Sequence, residues 1–258
     1  MPNLRVWPMD RDRSILLAGA AAITGIAWLY LARMAGHMNA GHMNAHAHAY
    51  AGAAMDAGAL FAMWAAMMLA MMLPSMLPFA FAFSGEQSRR HRAQLPLVPT
   101  AFFISGYFAV WAVFSGACAA VQELLHRQAL LSPTMSLTSH VFSGVVLISA
   151  GVYQWTPMKN ACLRHCRSPL TFLLSEWREG ADGAFRMGAG HGLFCIGCCW
   201  MLMLLPFAAG VMNLLWMAGI TILLLLEKAA PGGELTGRFC GAALVLLGSY
   251  LICFGVGL

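Results

Sequence analysis

Runs of about twenty residues with almost no charge recur along this chain, and they restrict its fold more than any motif does. Of its 258 residues 60% are hydrophobic and only 10% carry a charge, where soluble domains carry about 25%. In hydrocarbon every backbone N–H and C=O must be satisfied within the protein, so spanning segments are helices or closed barrels. A helix needs about 20 apolar residues to cross a core of about 30 Å. Runs of that length fall at about 14–34, 59–83, 98–122, 138–157, 187–206, 209–226 and 239–257. The expected fold is therefore all-α: a polytopic transmembrane helical bundle of about seven spans. The first run exceeds the 7–15-residue core of a signal peptide, so it is read as a helix.

Charge placement orients the bundle. The segments 1–13, 84–97, 158–187 and 227–238 hold three, three, five and two of the Lys and Arg residues, thirteen of fifteen. Under alternating topology these segments share one side, which the positive-inside rule makes cytoplasmic. The chain is then N-in and C-out in a bacterial inner membrane. Residues 1–13 form a cytoplasmic tail, 14–34 the first span and 35–58 a periplasmic loop. Residues 59–257 form a six-helix core, with a cytoplasmic surface segment at 158–187 that includes a surface helix from 169 to 180. The lipid bilayer is the first expected partner, and no nucleic acid is expected.

Several groups of soft donors lie on this scaffold. At the start of the fifth run, His191, Cys195 and Cys198 or Cys199 recur every three or four residues, with Met203 a turn beyond. On a helix such a row faces roughly one way, drifting by about 40° per step. Thiolate, thioether and imidazole together suit a soft ion such as Cu(I), although Cys and Met also serve as adaptable packing residues. Of eight cysteines only Cys162 and Cys166 fall in a polar stretch. There Met158, Cys162 and Cys166 line up at four-residue intervals if Pro157 opens a helix. Most of the thiols are read as reduced.

The second run carries Met63, Met67 and Met71 on one face and Met68, Met72 and Met76 on the next, with Pro74 and Pro78 following or interrupting them. The preceding loop repeats a Gly-His-Met-Asn-Ala unit and supplies His37, His42, His46, His48 and Asp56. His-rich tracts of this kind bind metal by composition. Glu227 and Lys228 read as a charged pair at the inner mouth or as snorkelling side chains.

In combination these stretches resemble the DUF2182 family of predicted metal-binding integral membrane proteins. The resemblance rests on Trp64…Met67-Met68…Met71-Met72-Leu73-Pro74, Gly106-Tyr107, Gly151…Tyr153-Gln154 and Pro157…Lys159…Cys162…Cys166-Arg167. It continues through Cys195-Ile196-Gly197-Cys198-Cys199-Trp200, Gly210…Met212-Asn213…Trp216-Met217 and Glu227-Lys228, so that it covers about 60–230. The repeat at 36–48 lies outside that pattern. The resemblance implies a polytopic membrane protein with a metal site and brings no established activity.

The expected function is handling of a soft transition metal, with copper acquisition or transport first. Cu(I) is the favoured ion, and zinc and nickel stay open. A periplasmic metal donor and other membrane subunits are the further partners. The alternative is a membrane-embedded redox enzyme, or a subunit of a larger metalloenzyme complex. No phosphate loop, haem attachment motif or dinucleotide fingerprint speaks for the enzyme.

Overall fold

The computed structural model describes residues 11–43, 56–91, 97–128, 130 and 139–255. Among these residues there are ten α-helices, one short 3-10 turn and no strand. Helix α1 is Arg11–Met43, α2 is Ala57–His91 and α3 is Leu97–Arg127. Helix α4 is His140–Tyr153, α5 is Pro157–Arg167 and α6 is Pro169–Ser175. Helix α7 is Gly180–Cys199, and after the 3-10 turn at Leu202–Leu204 come α8 Leu205–Ala209, α9 Leu214–Ala229 and α10 Gly233–Phe254.

Four of these helices (α1, α2, α3 and α10) are long and apolar enough to cross a membrane. The pair α7 and α8 makes a fifth if it is one span, but its axis turns by 72°. The break follows Cys199, and Pro206, which has no N–H to donate, opens α8. Helix α4 has 14 residues and α9 has 16; at 1.5 Å per residue they are about 21 and 24 Å long, short of the hydrocarbon core. Among the described residues, four or five of the seven spans expected from hydropathy are thus met by helices of spanning length. Other bounds move too. Helix α1 continues to Met43, past the first span and into the expected loop, while the surface helix expected over 169–180 stops at Ser175.

Large apolar side chains still point outward: Leu215 is 85% exposed, Val113 76% and Phe239 75%. Such a surface suits a bundle whose solvent is lipid. Where the drive to bury apolar area is weak, helices associate by close packing of small residues, and two contacts here are built that way. Helices α4 and α10 meet along glycines seven residues apart on each. A Cβ on Gly144 would stand 2.7 Å from the Gly248 carbonyl, and one on Gly241 2.8 Å from that of Gly151. Helices α3 and α7 approach more closely still, where Gly106 faces the Phe185 carbonyl and Gly188 faces the Phe103 carbonyl. Helix α7 is thereby pressed into the middle of the bundle.

Replacing Gly188 with Val should lower stability by about 1–3 kcal/mol or more, because the side chain meets backbone that cannot yield. Gly219→Ala, at a site with nothing within 4 Å, should be neutral or slightly stabilising. Thermal unfolding of the detergent-solubilised protein compares the two.

Candidate metal centre

The buried stretch of α7 brings Cys195, Cys198 and Cys199 into the core, each at most 1% exposed. Helix α5 supplies a fourth thiol from outside that stretch. Its start is set by Pro157 in the first turn and by Thr156, whose hydroxyl accepts from the Lys159 N–H. Two further turns carry Cys166 against α7. The sulfurs of Cys166, Cys195 and Cys198 lie within 4.8 Å of one another, and those of Cys166 and Cys198 are 3.9 Å apart. Three sulfurs held at about 2.3 Å from one ion stand about 4 Å apart in a trigonal arrangement, so closing the trio takes about half an ångström per sulfur.

Polar groups converge on the same spot. The Tyr107 hydroxyl and the Lys228 ammonium each lie 3.1 Å from the Cys195 sulfur. Lys228 also donates to the Ser75 hydroxyl of α2 at 3.0 Å. A cation beside a sulfur favours its thiolate, the form that binds metal. The preceding residue, Glu227, points elsewhere: both its oxygens accept from the Lys159 ammonium at 2.8 Å, with Lys159 and Glu227 each 1% exposed. Arg167 adds hydrogen bonds to the carbonyls of Glu227 and Ala230 at 3.0 and 2.7 Å. Tyr153 closes the group by donating to the Gly197 carbonyl.

The structure therefore revises the reading of Glu227 and Lys228. They do not serve each other as an exposed pair, and they do not snorkel. They are consecutive clamps, one on α5 and one on α7. Their place in an apolar run is the visible signal in the sequence, and their separate partners are not legible there.

Of the expected ligands, Cys166, Cys195 and Cys198 meet. Cys199 is not one of the three; its thiol and that of Cys198 both donate to the Cys195 carbonyl, at 2.9 and 3.1 Å, and the Cys198 sulfur also lies within 4.8 Å of those of Cys166 and Cys195. Cys162 lies outside the trio, partly exposed, against Gly197. His191 is buried one turn before Cys195 and stacks on Phe79 with ring centres 3.7 Å apart; its Nδ1 has no hydrogen-bond partner. Met63, Met67, Met68, Met71 and Met72 are all at most 1% exposed and belong to the core that holds the trio. Of the His/Met segment, His37 is exposed near the end of α1 and Asp56 is exposed just before α2. His42 has helical backbone, and its side chain lies outside the described residues, as do His46 and His48.

On α5, outside the long spans, burial pushes the Cys162 thiol up from its ordinary range. Hydrogen bonding to Cys195 and Cys198, followed by burial, holds Cys166 up as well.

A family model described as PpoB2, copper chaperone, matches residues 61–251. No curated protein and no solved structure matches the chain. The matched family carries a name other than DUF2182, and its copper description agrees with the metal-binding class that the resemblance implies.

Replacing Lys159 with Met leaves the Glu227 carboxylate buried without its ammonium and should cost about 3–5 kcal/mol. The double variant Lys159→Met/Glu227→Leu should recover most of that loss. Chemical denaturation of all three proteins measures the coupling, and additive losses would show that the pair does not act as one unit.

Proposed function

We propose that this chain, which belongs to the PpoB2 family of copper chaperones, is a membrane-embedded acceptor that holds Cu(I) among Cys166, Cys195 and Cys198 and passes it on. The observation that carries this reading is the buried trio itself, three thiols from two helices within 4.8 Å. Thiolates select soft ions, and Cu(I) is content with two or three sulfurs. Structural zinc takes four ligands, and among the described residues the cluster of Cys, His and carboxylate ligands has three members. Nickel(II) prefers square-planar nitrogen and oxygen donors.

The residues around the trio support that role. Each thiol that binds the ion gives up a proton, and the bound ion with two or three thiolates is anionic. The Lys228 ammonium beside Cys195 offsets that charge where water cannot. Tyr107, 3.1 Å from the same sulfur, can donate a hydrogen bond to it. Phe79, Phe103 and Tyr107 pack around His191 next to the trio and keep that side dry.

Acquisition is the direction we favour, in an inner membrane with the N-terminus inside. The repeat bearing His37, His42, His46 and His48, with Asp56, would collect ions at the periplasmic face, from solution or from a periplasmic donor. The methionine rows of α2 would offer weaker thioether sites on the way to the thiols, as conduction through several moderate sites requires. Of the thirteen charges that set this orientation, Lys159 and Lys228 are held inside the bundle, so it rests on the other eleven, with α4 and α9 counted as the two shortest crossings.

Anaerobic titration with Cu(I) followed by metal analysis of the desalted protein tests the site. Wild type should retain copper, and Cys166→Ser/Cys198→Ser should lose it while Cys240→Ser does not. Because Cys166 holds its proton up to higher pH than an ordinary thiol, binding must displace that proton. Affinity should therefore fall as pH is lowered. Equal retention by wild type and the double variant would rule out the trio as the copper site.

A further inference from the structure

The trio is sealed. Cys195 is fully buried and Cys198 is 1% exposed, so a donor or acceptor cannot place a ligand on either. On the two helices that carry the trio, one row of soft donors each leads away from it. The row on α7 runs through His191 to Met187, both 2% exposed, and does not reach the surface. The row on α5 does. Cys166 is 6% exposed, Cys162 one turn earlier is partly exposed, and Met158 at the helix start is 54% exposed.

Cys162 is also held close to the centre. Its sulfur lies against Gly197, the residue before Cys198, and a Cβ at that glycine would stand only 2.7 Å from it. The side chain thus occupies the space beside α7 that a larger residue would fill. With four-residue spacing on one helix, the three sulfurs of α5 step from the surface to the trio along a slowly turning line.

Given the trio as the Cu(I) site, we propose that Cys162 and Met158 are transfer ligands, a track by which Cu(I) passes between the buried thiols and a partner that presents thiolate or thioether. Each step is ligand exchange. A bond from the Cys162 sulfur to copper forms as one from the trio breaks, and the proton leaving Cys162 goes to the thiolate released. Copper stays Cu(I) and no electron moves. Further exchanges form bonds to the Met158 thioether and to the partner's thiol sulfurs as the remaining trio bonds and then the Cys162 bond break, and protons given up by the partner's thiols or by water go to the thiolates released. Loading runs the same steps in reverse. The row is graded: a neutral thioether outside, a single half-buried thiol, then three thiols within. Weak outer sites let the ion leave, and the inner one holds it.

The test is the rate at which Cu(I)-loaded protein in detergent gives up its copper to bathocuproine disulfonate, read as the colour of the chelate. Retained copper before the challenge is the second readout. Cys162→Ser should keep its copper and release it at least about tenfold more slowly than wild type, a barrier rise of about 1.4 kcal/mol. Cys162→Met, which restores a soft donor, should recover part of the rate, and a merely structural role would not produce that difference. Cys253→Ser, exposed near the end of α10, should match wild type. A Cys162→Ser variant that releases copper at the wild-type rate overturns the track. So does one that retains no copper, since Cys162 would then be a resident ligand. Wild type that retains none sinks the trio instead, which keeps the two claims separable.

Discussion

A carboxylate and an ammonium buried in an apolar bundle hold each other because neither has water to return to. Lys159 and Glu227 are such a pair, with both carboxylate oxygens 2.8 Å from the ammonium. Taking two charges out of water costs several kcal/mol per ion, and only close geometry offsets it. What the pair provides is position. It fixes α5 against α9, and Lys228, the next residue, reaches Cys195 on α7 and Ser75 on α2. Two consecutive residues therefore set how the thiol of α5 meets those of α7. The placement of the thiol trio follows from that joint together with the glycine contact that presses α7 against α3.

The same arrangement accounts for the chemistry available. Three thiols with no oxygen donor among them prefer a soft ion, and a lysine beside one sulfur supplies the positive charge that a thiolate cluster needs in a dry site. Aromatic rings on the His191 side leave the α5 side as the place where sulfur approaches the surface. A chaperone must both hold and release its cargo. In the proposed track, a sealed trio with a graded exit would separate those tasks between different residues.

Much of this is legible in the amino-acid sequence. Hydropathy alone sets the helical membrane class, and a periodicity of three or four residues puts Cys195 and Cys198 on one side of a helix and Met158, Cys162 and Cys166 on one side of another. What periodicity does not supply is the partner of each row. Cys198 and Cys199 are neighbours about 100° apart on a helix, and nothing local decides which of them lies nearer Cys166; in the structure it is Cys198. Glu227 and Lys228 look like a pair because they are adjacent, whereas successive helical residues point to different neighbours. Span length is legible only in part for a related reason. Apolar content extends through turns, so the runs at 138–157 and 209–226 read as long enough while the helices within them, His140–Tyr153 and Leu214–Ala229, are short.

X-ray absorption at the copper edge of the Cu(I)-loaded protein tests the central claim most directly. The expected result is a first shell of sulfur alone, three atoms at about 2.3 Å, with no imidazole scattering. A shell dominated by nitrogen or oxygen, or a four-coordinate one, would contradict it and move the metal to other ligands.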